Sequence, residues 1–274
     1  MILGVHCAVR QGYAAALSEA VSMGCGAMQM LPYQRHHDPS PEELAAFCAA
    51  RKAGPVRRLV IHSRFVPCPG SSDRVRRSRS RELLTRELRL AAGLGADAYV
   101  LHAGAYSEGA ARSEGLAHAC STACAAVQEA GAGFPVLFEN VPGGGRRLGG
   151  EIDDLERLLE GSSKAGGRFG LCLDTAHAWA SGHDIASAEG MLRFLARINR
   201  VFGAERVGAF HLADTRAMLG TCKEDHRCLG EGYLGGEGMK TLLERPEYAD
   251  VPAIIETPRE DGSYQRDLEY LRKL

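Results

Sequence analysis

The sequence contains no uninterrupted apolar run approaching the roughly 18 residues that a membrane-spanning helix needs. Its first residues, Met1-Ile2-Leu3-Gly4-Val5-His6, lack a basic region followed by an apolar stretch and a cleavage site. No membrane association is expected, and a cytoplasmic location is. The nine cysteines are odd in number, and no two are spaced C-x-x-C. A disulfide framework and a cysteine zinc ribbon are therefore both disfavoured, and reduced, buried thiols are expected. An excess of charge of one sign is also missing. With 33 Lys and Arg against 34 Asp and Glu, the net charge of -1 gives no global attraction to a polyanion, so any surface for nucleic acid must be local. The arginine-dense stretch Arg74, Arg76, Arg77, Arg79, Arg81 is one candidate, and it reads equally well as a loop and helix start with a solvated face. No Pro/Gly/Ser-rich linker divides the chain, so residues 1–274 are expected to form one domain. No obligate protein partner is indicated.

What is present is an alternation. Short apolar or β-branched runs are each followed by a turn and a segment of helical periodicity, the pattern of repeated βα units. The expected strands are Ile2 to His6, Gly26 to Met30, Arg58 to His62, Ala98 to His102, Pro135 to Glu139, Phe169 to Asp174, Val207 to His211 and Pro252 to Glu256. Helices are expected near 12–23, 41–53, 79–94, 111–131, 151–162, 186–202, 236–245 and 263–273. Pro41 suits a first helical position after Ser40, and Gly93 with Gly95 suits the end of the third helix. The length matches the roughly 250 residues of a single α/β barrel. Near-continuous apolar strands suit a parallel sheet covered on both faces, and closure removes its edges. The fold class expected is α/β, a single (β/α)8 TIM barrel with its active site at the C-terminal ends of the strands.

Seven of the eight expected strands end on a side chain able to hold a metal: His6, His62, His102, Glu139, Asp174, His211 and Glu256. In a TIM barrel these ends converge on one mouth. Imidazole and carboxylate together suit zinc and, less specifically, manganese or iron. Any one such residue reads as easily as a structural group, and His6 reads as a partner orienting another ligand as easily as a ligand itself. The joint placement carries the argument. Two local patterns add donors: Asp174-Thr175-Ala176-His177, with the histidine one turn past the aspartate, and the loop Glu224-Asp225-His226-Arg227-Cys228-Leu229-Gly230-Glu231-Gly232. Alone, either could be a helix cap or an exposed turn. With the strand ends they exceed the needs of one metal, which points to a multinuclear site and to phosphodiester hydrolysis.

At these residues the chain resembles the endonuclease IV family, AP endonuclease family 2 of the xylose-isomerase-like TIM barrels. The likeness runs from the first strand to the last. It is carried by Val136-Leu137-Phe138-Glu139-Asn140, Cys172-Leu173-Asp174-Thr175-Ala176-His177-Ala178, Phe210-His211-Leu212-Ala213-Asp214, His226 to Gly232, and Ile254-Ile255-Glu256-Thr257. The resemblance implies two to three Zn2+ ions, with Mn2+ or Fe possible at one site. His62, His102 and Glu139 would hold one ion, Glu139 would bridge to a second held by Asp174, His211 and Glu256, and a third would use His177, His226 and Glu224. It implies Glu139 and Glu256 as catalytic carboxylates. It also implies hydrolysis, by a metal-bound hydroxide, of the phosphodiester 5′ to an abasic site in duplex DNA. Loops after the second and third strands would enter the duplex. Arg35 would probe the stack there, and Phe65, with Val66 beside it, would fill the space of the missing base, although Phe65 also reads as packing under a barrel loop. The chain departs from the family pattern in four places: Glu224 stands at the acid position before His226, where the family has aspartate and where Asp225 is the alternative. His6-Cys7-Ala8-Val9-Arg10 keeps only its histidine, His36-His37 replaces a tryptophan, and Ala213 stands where asparagine is common.

A competing reading comes from divalent-metal-dependent sugar isomerases and epimerases of the same barrel class. They use two glutamates, an aspartate and a histidine around one metal, a quartet that Glu139, Asp174, His211 and Glu256 would satisfy. In that reading one glutamate moves a proton on an enediol and the remaining histidines are pocket residues. A non-catalytic nucleic-acid-binding barrel would leave the gathered ligands without a purpose.

Overall fold

The computed structural model describes every residue except 35, 36, 65–67, 165, 166 and 261. Eight strands, β1 (Ile2–Cys7), β2 (Ala27–Met30), β3 (Arg58–His62), β4 (Ala98–Leu101), β5 (Val136–Glu139), β6 (Phe169–Asp174), β7 (Val207–Leu212) and β8 (Pro252–Ile255), pair in parallel in chain order, and β8 returns to β1. The chain is a TIM barrel. Around it lie α1 (Tyr13–Ser22), α2 (Pro41–Ala53), α3 (Arg74–Gly93), α4 (Arg112–Ala130), α5 (Ile152–Ser163), α6 (Thr175–Ala180), α7 (Ala188–Phe202), α8 (Glu237–Leu243) and α9 (Ser263–Lys273). Among the described residues no helix is long and apolar enough to cross a membrane.

The helix starts follow from local chemistry. Ser40 Oγ accepts from Glu43 N at 3.2 Å and Pro41 takes the first turn of α2, where its missing N–H costs nothing. In α3 the helix begins at Arg74 rather than at 79, because Asp73 Oδ1 caps it by accepting from Val75 N at 2.8 Å and Arg76 N at 3.3 Å. The arginine-dense stretch is therefore helical. Arg77 is spent on the Ser71 carbonyl (2.6 Å) and Arg81 faces Glu129 at 3.7 Å. A six-residue helix, α6, follows β6 directly and was not expected.

Two-residue alternation within the strands divides the core. Leu59, Ile61, Tyr99, Leu101, Phe138, Leu171, Leu173, Phe210 and Leu212 point outward into the large apolar layer beneath the helices. Their neighbours Val60, Ala98, Val100, Leu137, Cys172 and Ala209 pack with one another inside the barrel, and Ile2, Ala27 and Ile254 form a second small interior group. This interior plug is made of small and medium apolar side chains. Two or four residues further along each strand, the same inward parity arrives at the mouth.

Candidate metal centre

Carrying the inward parity to the C-terminal ends of β1 to β8 gives His6, Gln29, His62, His102, Glu139, Asp174, His211 and Glu256. The seven strand-end residues singled out in the sequence thus share the interior face. The eighth place in the ring belongs to Gln29, level with His6 in the β1–β2 register and fully buried.

Glu139 is the hub. Its Oε2 lies 3.2 Å from His62 Nε2 and 2.9 Å from His102 Nε2, and its Oε1 lies 3.1 Å from His211 Nδ1 and 3.3 Å from His177 Nδ1. Burial alone would raise this carboxyl. The imidazoles of His102 and His211 outweigh burial and hold it well below the usual carboxylate range. Glu256 behaves alike, its burial overcome by His211, His6 and His62, so it too stays ionised. Its Oε2 is 3.3 Å from His211 Nδ1, and its Oε1 is 2.9 Å from His6 Nδ1. Donor atoms of His62, Glu139, His211 and Glu256 all lie within 4.8 Å of one another.

Asp174, His177 and His226 form a second such group. Asp174 ends β6 and caps α6, its Oδ1 accepting from His177 N at 2.7 Å, which is why the histidine one turn on returns to the mouth. With Oδ1 so used, Oδ2 is buried without a hydrogen-bond partner and lies 3.7 Å from His226 Nε2. Asp174 therefore joins His177 and His226, while it also stands level with His211 across the β6–β7 register. His177 Nδ1 is 2.9 Å from the Asn140 carbonyl and His226 Nδ1 is 2.8 Å from the Glu256 carbonyl. Carbonyls only accept, so each ring donates from Nδ1 and presents Nε2 to the centre, where the two Nε2 atoms face each other at 3.3 Å. Two imidazole nitrogens and an unpartnered buried carboxylate oxygen aimed at one point suit a divalent cation. His62 is oriented the same way by the Ser63 carbonyl at 2.9 Å.

Without a cation, protons take its place. Burial opposes a charged His177, but Asp174 and Glu139 outweigh it and push the imidazole up to about 9. His211 is also raised against its burial. The Glu256 and Glu139 carboxylates drive this, since the adjacent Cys172 thiol is itself pushed up to about 12 by burial and is neutral. Metal binding here must release protons.

Gln29, which strand-end reasoning missed, ties two ligands together. Its Oε1 accepts from His211 Nε2 at 2.9 Å, leaving His211 Nδ1 for the centre, and its Nε2 donates to Glu256 Oε1. Its sequence signal is a single amide in the buried run Ala27-Met28-Gln29-Met30. His6 contacts Glu256 and Gln29 (3.1 Å to Gln29 Nε2), which suits an orienting partner. Asn140 clasps β5 to β6, accepting from Asp174 N at 2.7 Å and donating to the Asp174 carbonyl at 3.0 Å. Asp214 fixes the loop that carries His226, accepting from Gly230 N at 3.0 Å and Leu234 N at 2.9 Å.

Of the two loop acids, Asp225 is committed to Arg216 N at 2.7 Å and to Arg227 Nη2 at 2.8 Å. Glu224 is exposed, and its charge reaches His177. Arg35, Phe65 and Val66 lie outside the described residues.

A family model described as the xylose isomerase-like TIM barrel matches residues 17–274. A protein named probable endonuclease 4 from Nitratidesulfovibrio vulgaris (Hildenborough) is 33% identical, over 100% of this chain and 98% of its own length. The crystal structure of endonuclease IV from Thermus thermophilus superposes with a TM-score of 0.88 at 30% identity, covering 100% of this chain and 98% of that one. A D-tagatose 3-epimerase-like protein shares the fold at 20% identity, with a TM-score of 0.75 and coverage of 100% and 98%. The chain belongs to the endonuclease IV family of xylose isomerase-like TIM barrels.

Proposed function

We propose that this chain is a cytoplasmic, single-domain apurinic/apyrimidinic endonuclease that hydrolyses the phosphodiester 5′ to an abasic site in duplex DNA, using two to three zinc ions. The observation that carries the reading is the second donor group, Asp174, His177 and His226, beside the first, His62, Glu139, His211 and Glu256, with His102 on Glu139. A sugar isomerase or epimerase needs only one metal and would leave the second group without work.

His62, His102, Glu139, His211 and Glu256 would hold one part of the cluster, and Asp174, His177, His226 and Glu224 the other. The bound cations supply charge neutralisation for the phosphate and lower the pKa of a water. Glu139, 1% exposed, is too deep to meet DNA and holds the two parts together. Glu256 reaches solvent at the mouth and is the carboxylate able to meet the substrate, with His6 and Gln29 setting which oxygen faces outward. Arg35 would probe the base stack, and Phe65 with Val66 would fill the gap at the lesion.

The test is metal content by mass spectrometry paired with nicking of an abasic and an intact duplex. Close to three zinc per chain with abasic-specific nicking supports the reading, manganese or iron in place of one zinc would revise the metal, and one divalent ion without nicking overturns it in favour of sugar chemistry. Glu139→Gln should lower nicking at least about 100-fold and disturb both donor groups. Near-normal activity in that variant would sink the site.

A further inference from the structure

Three side chains of α3 hold the backbone of the loop after β3, residues 63–73. Glu87 Oε2 accepts from Arg64 N at 3.0 Å, Ser80 Oγ accepts from Cys68 N at 3.0 Å, and Arg77 Nη1 donates to the Ser71 carbonyl at 2.6 Å. Ser80 and Glu87 stand seven residues apart, close to two turns, and so share one face of the helix. Both are 0% exposed. They take hold of the loop just before and just after residues 65–67.

A buried carboxylate is a costly group at a place where an apolar side chain would pack, as Leu84 and Leu88 do on the same helix. Glu87 Oε2 also accepts from the Tyr99 hydroxyl of β4 at 2.6 Å, whereas Oε1 is buried without a hydrogen-bond partner. Burial raises the carboxyl above its usual range against the pull of the Tyr99 and Arg64 bonds. What a leucine could not supply here is the acceptor for Arg64 N. Arg64 in turn reaches the loop after β2: its Nη1 donates to the Tyr33 carbonyl at 3.0 Å and its guanidinium lies 5.3 Å from the Tyr33 ring centre. Arg86, next to Glu87 on α3, lies 4.8 Å from the same ring and donates to Asp38. One helix thus grips both loops.

We propose that Ser80 and Glu87 are positioning residues for recognition of the lesion. They set the path of the loop after β3, and through Arg64 and Tyr33 that of the loop after β2, without themselves meeting DNA or metal. The proposal rests on the endonuclease reading above, which gives Arg35 and Phe65 of these loops their roles. An acceptor for a backbone N–H fixes the main chain itself, and a displacement of about 1 Å in a positioning element costs up to roughly 100-fold in rate.

The experiment compares wild type with Ser80→Ala, Glu87→Ala and Glu87→Gln, all zinc-loaded and checked for zinc content. Hydrogen exchange read by NMR should show the Cys68 amide losing protection in Ser80→Ala and the Arg64 amide in Glu87→Ala, with the strand amides unchanged. On an abasic duplex kcat/KM should fall roughly 10- to 100-fold. Zinc content and affinity for an intact duplex should hold, so that discrimination falls by the same factor. Glu87→Gln, whose amide oxygen can still accept from Arg64 N, should recover most of both losses. Ser80→Ala removes a single hydroxyl and keeps the test open if Glu87→Ala does not fold. Retained protection, or lost protection with unchanged discrimination, in a chain whose wild type nicks abasic DNA overturns the positioning role. So does a loss of zinc and of affinity for both duplexes together, which is what general destabilisation gives. Wild type that protects both amides but neither binds nor nicks abasic DNA overturns the endonuclease reading, and the role at the lesion with it.

Discussion

Gln29 is the only member of the inward ring that can neither hold a proton nor supply a strong ligand, yet it fixes two residues that can. Its Oε1 sets the His211 tautomer, and its Nε2 holds one Glu256 oxygen. Gln29→Leu keeps the volume and removes both bonds, leaving a buried N–H without an acceptor at a cost of about 1–3 kcal/mol. Zinc affinity, measured by competition with a chromophoric chelator, should fall by roughly 10–100-fold. An unchanged affinity would leave Gln29 as packing alone. The sequence made the ligand candidates visible because a strong donor at a strand's end is unusual where apolar residues are the rule. Gln29 stayed hidden because it lies one residue before the end of β2, and amides carry no metal signature. The division of the donors was hidden too, since Asp174 joins His177 and His226 only through a cap and a buried carboxylate orientation that spacing does not reveal.

At the scale of elements, strand and helix boundaries were legible to within a residue or two where apolar periodicity carries them, as in β3, β6, α2 and α9. They were not legible where a cap decides. Asp73 starts α3 before any apolar face develops, and Asp174 starts α6, which is too short to show a period. The loop bearing His226 is the other such element. A Cβ on Gly232 would fall 2.2 Å from the Thr215 carbonyl oxygen and 2.4 Å from Asp214 Oδ1, so the loop can lie against the barrel only with glycine there. Gly232→Ala should therefore displace His226 while leaving the group around Glu139 in place. Metal analysis should show the loss of about one ion per chain, and nicking should fall with little change in the circular dichroism of the barrel. Full metal content in that variant would mean that the loop has room to shift without His226 moving.

Across the whole molecule the apolar layers close the barrel without help from the mouth, so removing metal should leave it folded but change how its stability depends on pH. In the metal-free protein His177 has its pKa raised to about 9 from an unfolded value of 6.5. A raised pKa stabilises the fold fully below 6.5, and that contribution, up to roughly 3 kcal/mol, is lost as pH climbs through 9. His211 and His62 are raised as well and act in the same direction. Glu139 and Glu256 are lowered, so their contribution is present above the ordinary carboxylate value of 4.5 and is lost only as pH falls far below it. The chelator-treated protein should thus lose thermal stability between pH 6.5 and 9. The zinc-loaded protein, whose cations neutralise the same carboxylates, should not. The gain in Tm on adding zinc should then widen with pH across that interval, as read by calorimetry in matched buffers. A gain that stays constant would mean that His177 and His211 do not take up protons in the absence of metal, and that the carboxylates at the mouth are neutralised by other means.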